Sequence, residues 1–133
     1  MLVTDAGKLL SNRGGSSIVP LPEGGSCRIV PFENARERAI HFAKHGHKFQ
    51  SVDELDYERM ADLFMYGTMP PDVQQCHRPH GRDRLRIEHT TAHFGVACVV
   101  PSFVRTFYPA SAGMLSKRGG THGFFQAECN RIL

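Results

Sequence analysis

Residues 84–100 read "RLRIEHTTAHFGVACVV". The first part alternates. Arg84, Arg86 and Glu88 fall on one side, and Leu85, Ile87 and His89 on the other, which is the period of a strand. "HFGVACVV" is apolar along most of its length and predicts a second strand, partly buried on both faces. "TTA" between them has the length and polarity of a hairpin loop. "PS" then leads into "FVRTFY", a third strand that Pro109 ends. An antiparallel sheet is therefore the centre of the expected fold.

Upstream the pattern becomes helical. "NARERAIHFAKHG" offers Asn34 as an N-cap, charges in the first turn and Gly46 as a stop. At about 100° per residue, Ala35, Ala39, Phe42 and Ala43 share one face, while Glu37, His41, Lys44, His45 and Lys48 fall opposite. A second helix follows. Ser51 and Glu54 are spaced as a capping box, Val52, Met60, Leu63 and Phe64 form its apolar stripe, and Gly67 ends it before the breaker "TMPPD". Downstream, "HGFFQAECNRIL" reads as a closing helix. The expected class is α+β: N-terminal helices packed on one face of a small antiparallel β-sheet, with a short C-terminal helix. Residues 1–30, with "RGGSS" and "PLPEGG", read as a flexible arm or linker, and residues 31–133 as one domain.

The chain has 133 residues, 41% hydrophobic, with nine Phe, enough for one compact core. Its net charge of +3 and pI near 8.8 suit a polyanionic ligand without requiring one. The distribution says more. From Cys76 onward, Arg78, Arg82, Arg84, Arg86, Arg105, Lys117, Arg118 and Arg131 face only Asp83, Glu88 and Glu128. Cys27, Cys76, Cys98 and Cys129 form no CxxC pair and read as free thiols, with Cys98 buried; a disulfide could not be paired from sequence. No long apolar run follows Met1, and no segment approaches membrane-spanning length. A soluble chain is expected, its export dependent on another route or on another part of a longer polypeptide.

Residues 39–48, "AIHFAKHGHK", gather the groups most able to do chemistry. His41, Lys44 and His45 stand at i, i+3 and i+4, neighbours on a helix surface. A zinc chelate would use two such histidines, but the glutamate of H-E-x-x-H is missing, a lysine opposes a cation, and no third ligand is evident. A merely solvated helix face is the plain alternative. Two imidazoles beside a lysine, with arginines downstream, instead fit proton transfer at a phosphate. RNA cleavage without metal needs a base for the ribose 2′-hydroxyl, an acid for the leaving 5′-oxygen and cations for the transition state. His47, beyond Gly46, has no place in that set.

"HFAKHGHKF", "ELDYERMADLFM", "RIEHTTAHFGV" and "VRTFYP", taken in order, resemble the small nucleases of the barnase–EndoU–colicin–RelE superfamily, over roughly residues 38–109. These occur as C-terminal domains of polymorphic bacterial toxins and in phage head-associated proteins. The resemblance implies proton transfer by His41 and His45, and phosphate contact by Lys44 and Arg105. It gives Thr106 a hydrogen bond to a non-bridging oxygen. Arg86 matches the first strand's arginine and would contact substrate, or else pair with Glu88, and Arg84 and His93 are expected as further substrate contacts. Ile87 and Glu88 depart from the Tyr-Asp of the pattern, and His93 stands where an acid or amide is usual. Arg105 and Thr106, adjacent on a strand, reach one site only at a twisted end or a bulge. The implied protein is a metal-independent ribonuclease toxin that leaves a 2′,3′-cyclic phosphate and uses no cofactor. It would be exported as the C-terminal part of a larger protein, act on RNA in the target-cell cytoplasm, and be neutralised by a cognate immunity protein. Two other readings stand beside it: an NAD-degrading or ADP-ribosyl-transferring effector, which lacks a Gly-rich loop and a clear catalytic glutamate here, and a non-catalytic module of a phage or secretion particle.

Overall fold

The alternation at residues 84–100 folds as its period requires. In the computed structural model, which describes residues 31–79 and 81–131, the hairpin pairs Glu88 with His93 and Asp83 with Cys98. The arm expected over residues 1–30, with Cys27, lies outside the described residues. The order is α1 (Ala35–His45), a 3-10 turn (Gly46–Phe49), α2 (Glu54–Tyr66), β1 (Val73–His77), β2 (Asp83–Glu88), β3 (His93–Cys98), β4 (Phe103–Pro109), α3 (Ala112–Arg118) and α4 (Gly120–Cys129). The strands form one antiparallel sheet in the order β1-β2-β3-β4. The protein is α+β, as expected. β1 is an addition, because "VQQCH" has no alternation to announce it; it forms by pairing with the free edge of β2. α3 is another, separated from α4 by Gly119, whose φ of +82° favours glycine.

The two sheet faces carry different cores. On one, Val104 and Phe107 meet Tyr57 and Ala61 of α2, with Phe32 and Phe49 closing the cluster. A Cβ on Gly95 would come within 2.5 Å of the Met65 sulfur, so glycine lets α2 lie close. On the other face, Leu85, Ile87, Phe94 and Val96 pack against Phe124 and Phe125 of α4. The C-terminal helix thus covers the face that the N-terminal helices leave open. Truncating a fully buried ring such as Phe94 would cost about 3–5 kcal/mol.

Three local expectations are corrected. Cys76 and Cys129 are not free thiols; they form a disulfide that ties β1 to the end of α4. Cys98 is free and buried. α2 is capped by Asp53, whose side chain accepts from the Asp56 N–H, while the Ser51 hydroxyl donates to the Gly46 carbonyl. Its buried stripe is Tyr57, Glu58, Ala61 and Met65, leaving Val52 and Leu63 exposed. The Tyr57 hydroxyl donates to the Phe107 carbonyl and the Glu58 carboxylate accepts from the Phe32 N–H, and these polar anchors rotate the helix. Finally, α1 keeps its Asn34 cap, which accepts from the Glu37 N–H, but buries no residue fully. Ala35 and Ala43 are exposed, whereas Arg38, His41, Phe42 and His45 turn inward. The helix docks at the edge of the sheet beside β4, where ring stacking and Arg38–Glu54 and Arg38–Glu58 ion pairs take the place of an alanine stripe.

Candidate active site

The edge strand β4 brings the site together. Residues 31–32 cover part of its edge: the Val104 N–H donates to the Pro31 carbonyl, and Phe32 bridges Val104. Further along, β4 is irregular. Thr106 pairs with Val96 and Val104 with Ala97, so Arg105 has no partner. This bulge sends Val104 to the face covered by α2 and Thr106 to the opposite one. Arg105, the extra residue, lines the same cleft as Thr106. The obstacle that a regular strand would have raised is therefore absent.

A column of rings runs from the core to that cleft. Tyr57, Phe32, His41, His45 and Tyr108 succeed one another with centroids 5.5, 5.4, 6.1 and 5.2 Å apart. The imidazoles are thus held by their flat faces and keep their nitrogens for polar partners. The His41 Nδ1 lies 3.4 Å from the Thr106 hydroxyl, and its Nε2 lies 3.8 Å from the Glu37 carboxylate. The His45 Nδ1 accepts from the Lys48 ammonium at 3.4 Å. Burial lowers the pKa of His41; Glu37 works against this and Lys44 adds to it. Burial, with Lys48 next, pushes His45 down to about 4. Both shifts favour the neutral ring, which can accept a proton, and Glu37 opposes the shift at His41. Lys44 is exposed on the same helix, close enough to influence both.

Beside Thr106 and Tyr108 opens a cleft of about 460 Å³, with Arg78, Arg82, Arg105 and Arg131 in its lining. Its floor is a chain of ion pairs. Arg105 donates to Asp83 at 2.7 Å, Arg78 bridges Asp83 and Glu128, and Arg131 reaches Glu128 at 3.3 Å. Burial raises the pKa of the Tyr108 hydroxyl, so it remains a donor at neutral pH. Four guanidiniums against two carboxylates leave an excess of positive charge in which an anion would find several donors.

The other expected site residues lie elsewhere. Arg86 is buried on the α2 face, where it donates to the Gln75 side chain and to the carbonyls of Phe64 and Gly67. It closes the C-terminus of α2. Arg84 lies over the Tyr66 ring and points Nη1 at the Met65 carbonyl, 3.5 Å away. His93 packs edge-on to Phe49 and faces Glu88, on the same side as Arg86. The structure therefore gathers His41, Lys44, His45, Arg105 and Thr106 and leaves Arg84, Arg86 and His93 apart. Tyr108 joins the site unpredicted, and Glu37 and Lys48, expected on the His41 face but given no role, lie against the two histidines. Glu37 lies one turn before His41 and Lys48 one turn after His45, so helix spacing was their available signal. Arg78 and Asp83 had none, because their place depends on β1 and on the end of α4. Among the described residues, no group of three or more His, Cys, Asp or Glu is arranged to hold a metal ion. No described helix is long and apolar enough to cross a membrane.

Compared with known proteins, the chain matches no family model and no curated sequence.

Proposed function

We propose that this domain is a metal-independent endoribonuclease, the toxic C-terminal part of a larger exported protein. The observation that carries the reading is the placement of two imidazoles, His41 and His45, against Thr106 and Tyr108 at the mouth of an arginine-lined cleft. One imidazole takes the proton of the ribose 2′-hydroxyl. The 2′-oxygen attacks the phosphorus, and the bond to the 5′-oxygen breaks. That oxygen leaves with a proton from the second ring, which enters the step as imidazolium, so the products are a 2′,3′-cyclic phosphate and a free 5′-hydroxyl. Arg105 and Lys44 stabilise the charge that builds on the phosphate, and Thr106 donates to a non-bridging oxygen. The Cys76–Cys129 disulfide supports passage through an oxidising compartment. A producing cell would need a cognate immunity protein, acidic where it covers the basic cleft.

The test is incubation of the purified domain with total RNA in EDTA, with the fold monitored by circular dichroism. Fragments ending in a cyclic phosphate are expected. Intact RNA in the presence of folded protein overturns the reading.

A further inference from the structure

A second hollow, of about 300 Å³, lies beyond Tyr108, lined by Met114, Lys117 and Arg118 of α3, Phe124 and Glu128 of α4, and Arg131. It shares Tyr108, Glu128 and Arg131 with the arginine-lined cleft, so the two meet at the tyrosine. No role was expected for this region.

Its charge is unbalanced. Glu128 is already engaged by Arg78 and Arg131. Lys117 and Arg118 are exposed at the end of α3 and have no acidic partner among the described residues. Met114, 43% exposed, and Phe124 add an apolar wall. Cations beside an apolar wall match the alternation of phosphate and base along a single strand. The joined clefts set six cations against two carboxylates.

We infer that the α3 hollow is a second subsite, in which Lys117 and Arg118 hold a phosphate of the same RNA strand beyond the nucleotides at His41 and Thr106. This rests on the ribonuclease reading and narrows its substrate to a single strand longer than a dinucleotide. The subsite contributes binding, not bond cleavage, so its loss shows only with substrates long enough to reach it.

The experiment compares the domain with the double variant Lys117→Gln, Arg118→Gln on a dinucleoside monophosphate and on a long single-stranded RNA, each at several salt concentrations. Both positions are exposed, and circular dichroism checks the fold. The expected result is a roughly tenfold loss of kcat/KM on the long RNA, with the dinucleotide changed by less than about twofold. The salt slope on the long RNA should shrink by about 0.7 for each phosphate that the variant no longer neutralises. Equal losses on both substrates, or no loss on either, overturn the subsite. If the wild-type domain cleaves neither RNA, the ribonuclease reading fails by itself. Fluorescence anisotropy with a labelled 2′-deoxy oligonucleotide then decides the subsite: a roughly tenfold weaker variant sustains it, while equal binding or none overturns it.

Discussion

Arg86 and Arg105 stand on opposite sides of β3 in the same sheet and differ in almost everything else. Arg86 is 7% exposed, and its donors are spent on Gln75 and two carbonyls at the end of α2. The Arg105 side chain is 44% exposed, held at one nitrogen by Asp83, and lines an open cleft. Both lie in strand segments of the sequence. An arginine becomes a structural clamp or a ligand contact according to what packs over its face: α2 sits over Arg86, whereas α4 covers only part of the face that Arg105 borders. The bulge at Arg105 moves it out of the regular alternation, and no such break occurs at Arg86.

The largest effects should come from the cleft side. His41→Ala or His45→Ala is expected to slow RNA cleavage by about 10²–10⁴-fold, measured as kcat/KM on a long RNA. A loss of less than tenfold in both would remove the histidines from the chemistry and weaken the contrast between the faces. Next in size is the covalent tie of the cleft side. Replacing Cys76 and Cys129 by serine opens a loop spanning 53 positions and should cost about 4 kcal/mol in a denaturant titration. Wild-type protein in reductant should show a comparable loss.

The two arginines put the contrast between the faces to the test directly. Arg105→Ala should cut cleavage by about 10²-fold with stability reduced by no more than about 1 kcal/mol, its side chain being half exposed. Arg86→Ala should do the reverse. It strands buried carbonyls and costs about 2–3 kcal/mol, while cleavage per folded molecule stays near wild type. A strong catalytic defect in folded Arg86→Ala protein would join the two faces into one site.

The smallest effect is on pH. His45 is held at about 4 and His41 below its ordinary 6.5, so kcat/KM should peak below pH 6.5 whichever ring takes the proton. Stability follows the same groups. Their folded pKa values are depressed, so below pH 6.5 the unfolded chain takes up protons first. The contribution is complete above 6.5 and is lost as pH falls toward about 4. Urea midpoints measured at neutral and acidic pH would read this decline.

The sequence exposes what depends on local period and misses what depends on contacts through space. The β2–β3 hairpin, the Asn34 cap and the His41–His45 spacing were legible because each is set within a few residues. The inward turn of α1 was not. Patterning treats histidine as polar, yet Phe32, just ahead of α1, and Tyr108, from the distant β4, supply faces on which the imidazoles stack. The capping box expected at Ser51 does not form: the Asp53 side chain accepts from the Asp56 N–H, while the Ser51 hydroxyl donates to the Gly46 carbonyl. Cys76 could not be paired with Cys129 without β1, itself unmarked by alternation. Arg105 and Thr106 reach one cleft through a register shift that only pairing with β3 creates.

The disulfide also constrains how this polypeptide can be moved. While Cys76 and Cys129 are joined, the chain cannot be drawn out as a single thread, however completely it unfolds. The span between them travels as a closed ring, and a conduit must admit two strands abreast at that point. A pore wide enough for only one strand would pass the dithiol form alone, and the bond would then have to close on the far side. For any passage through such a pore, the bond would fix an order of events among oxidation, unfolding and passage.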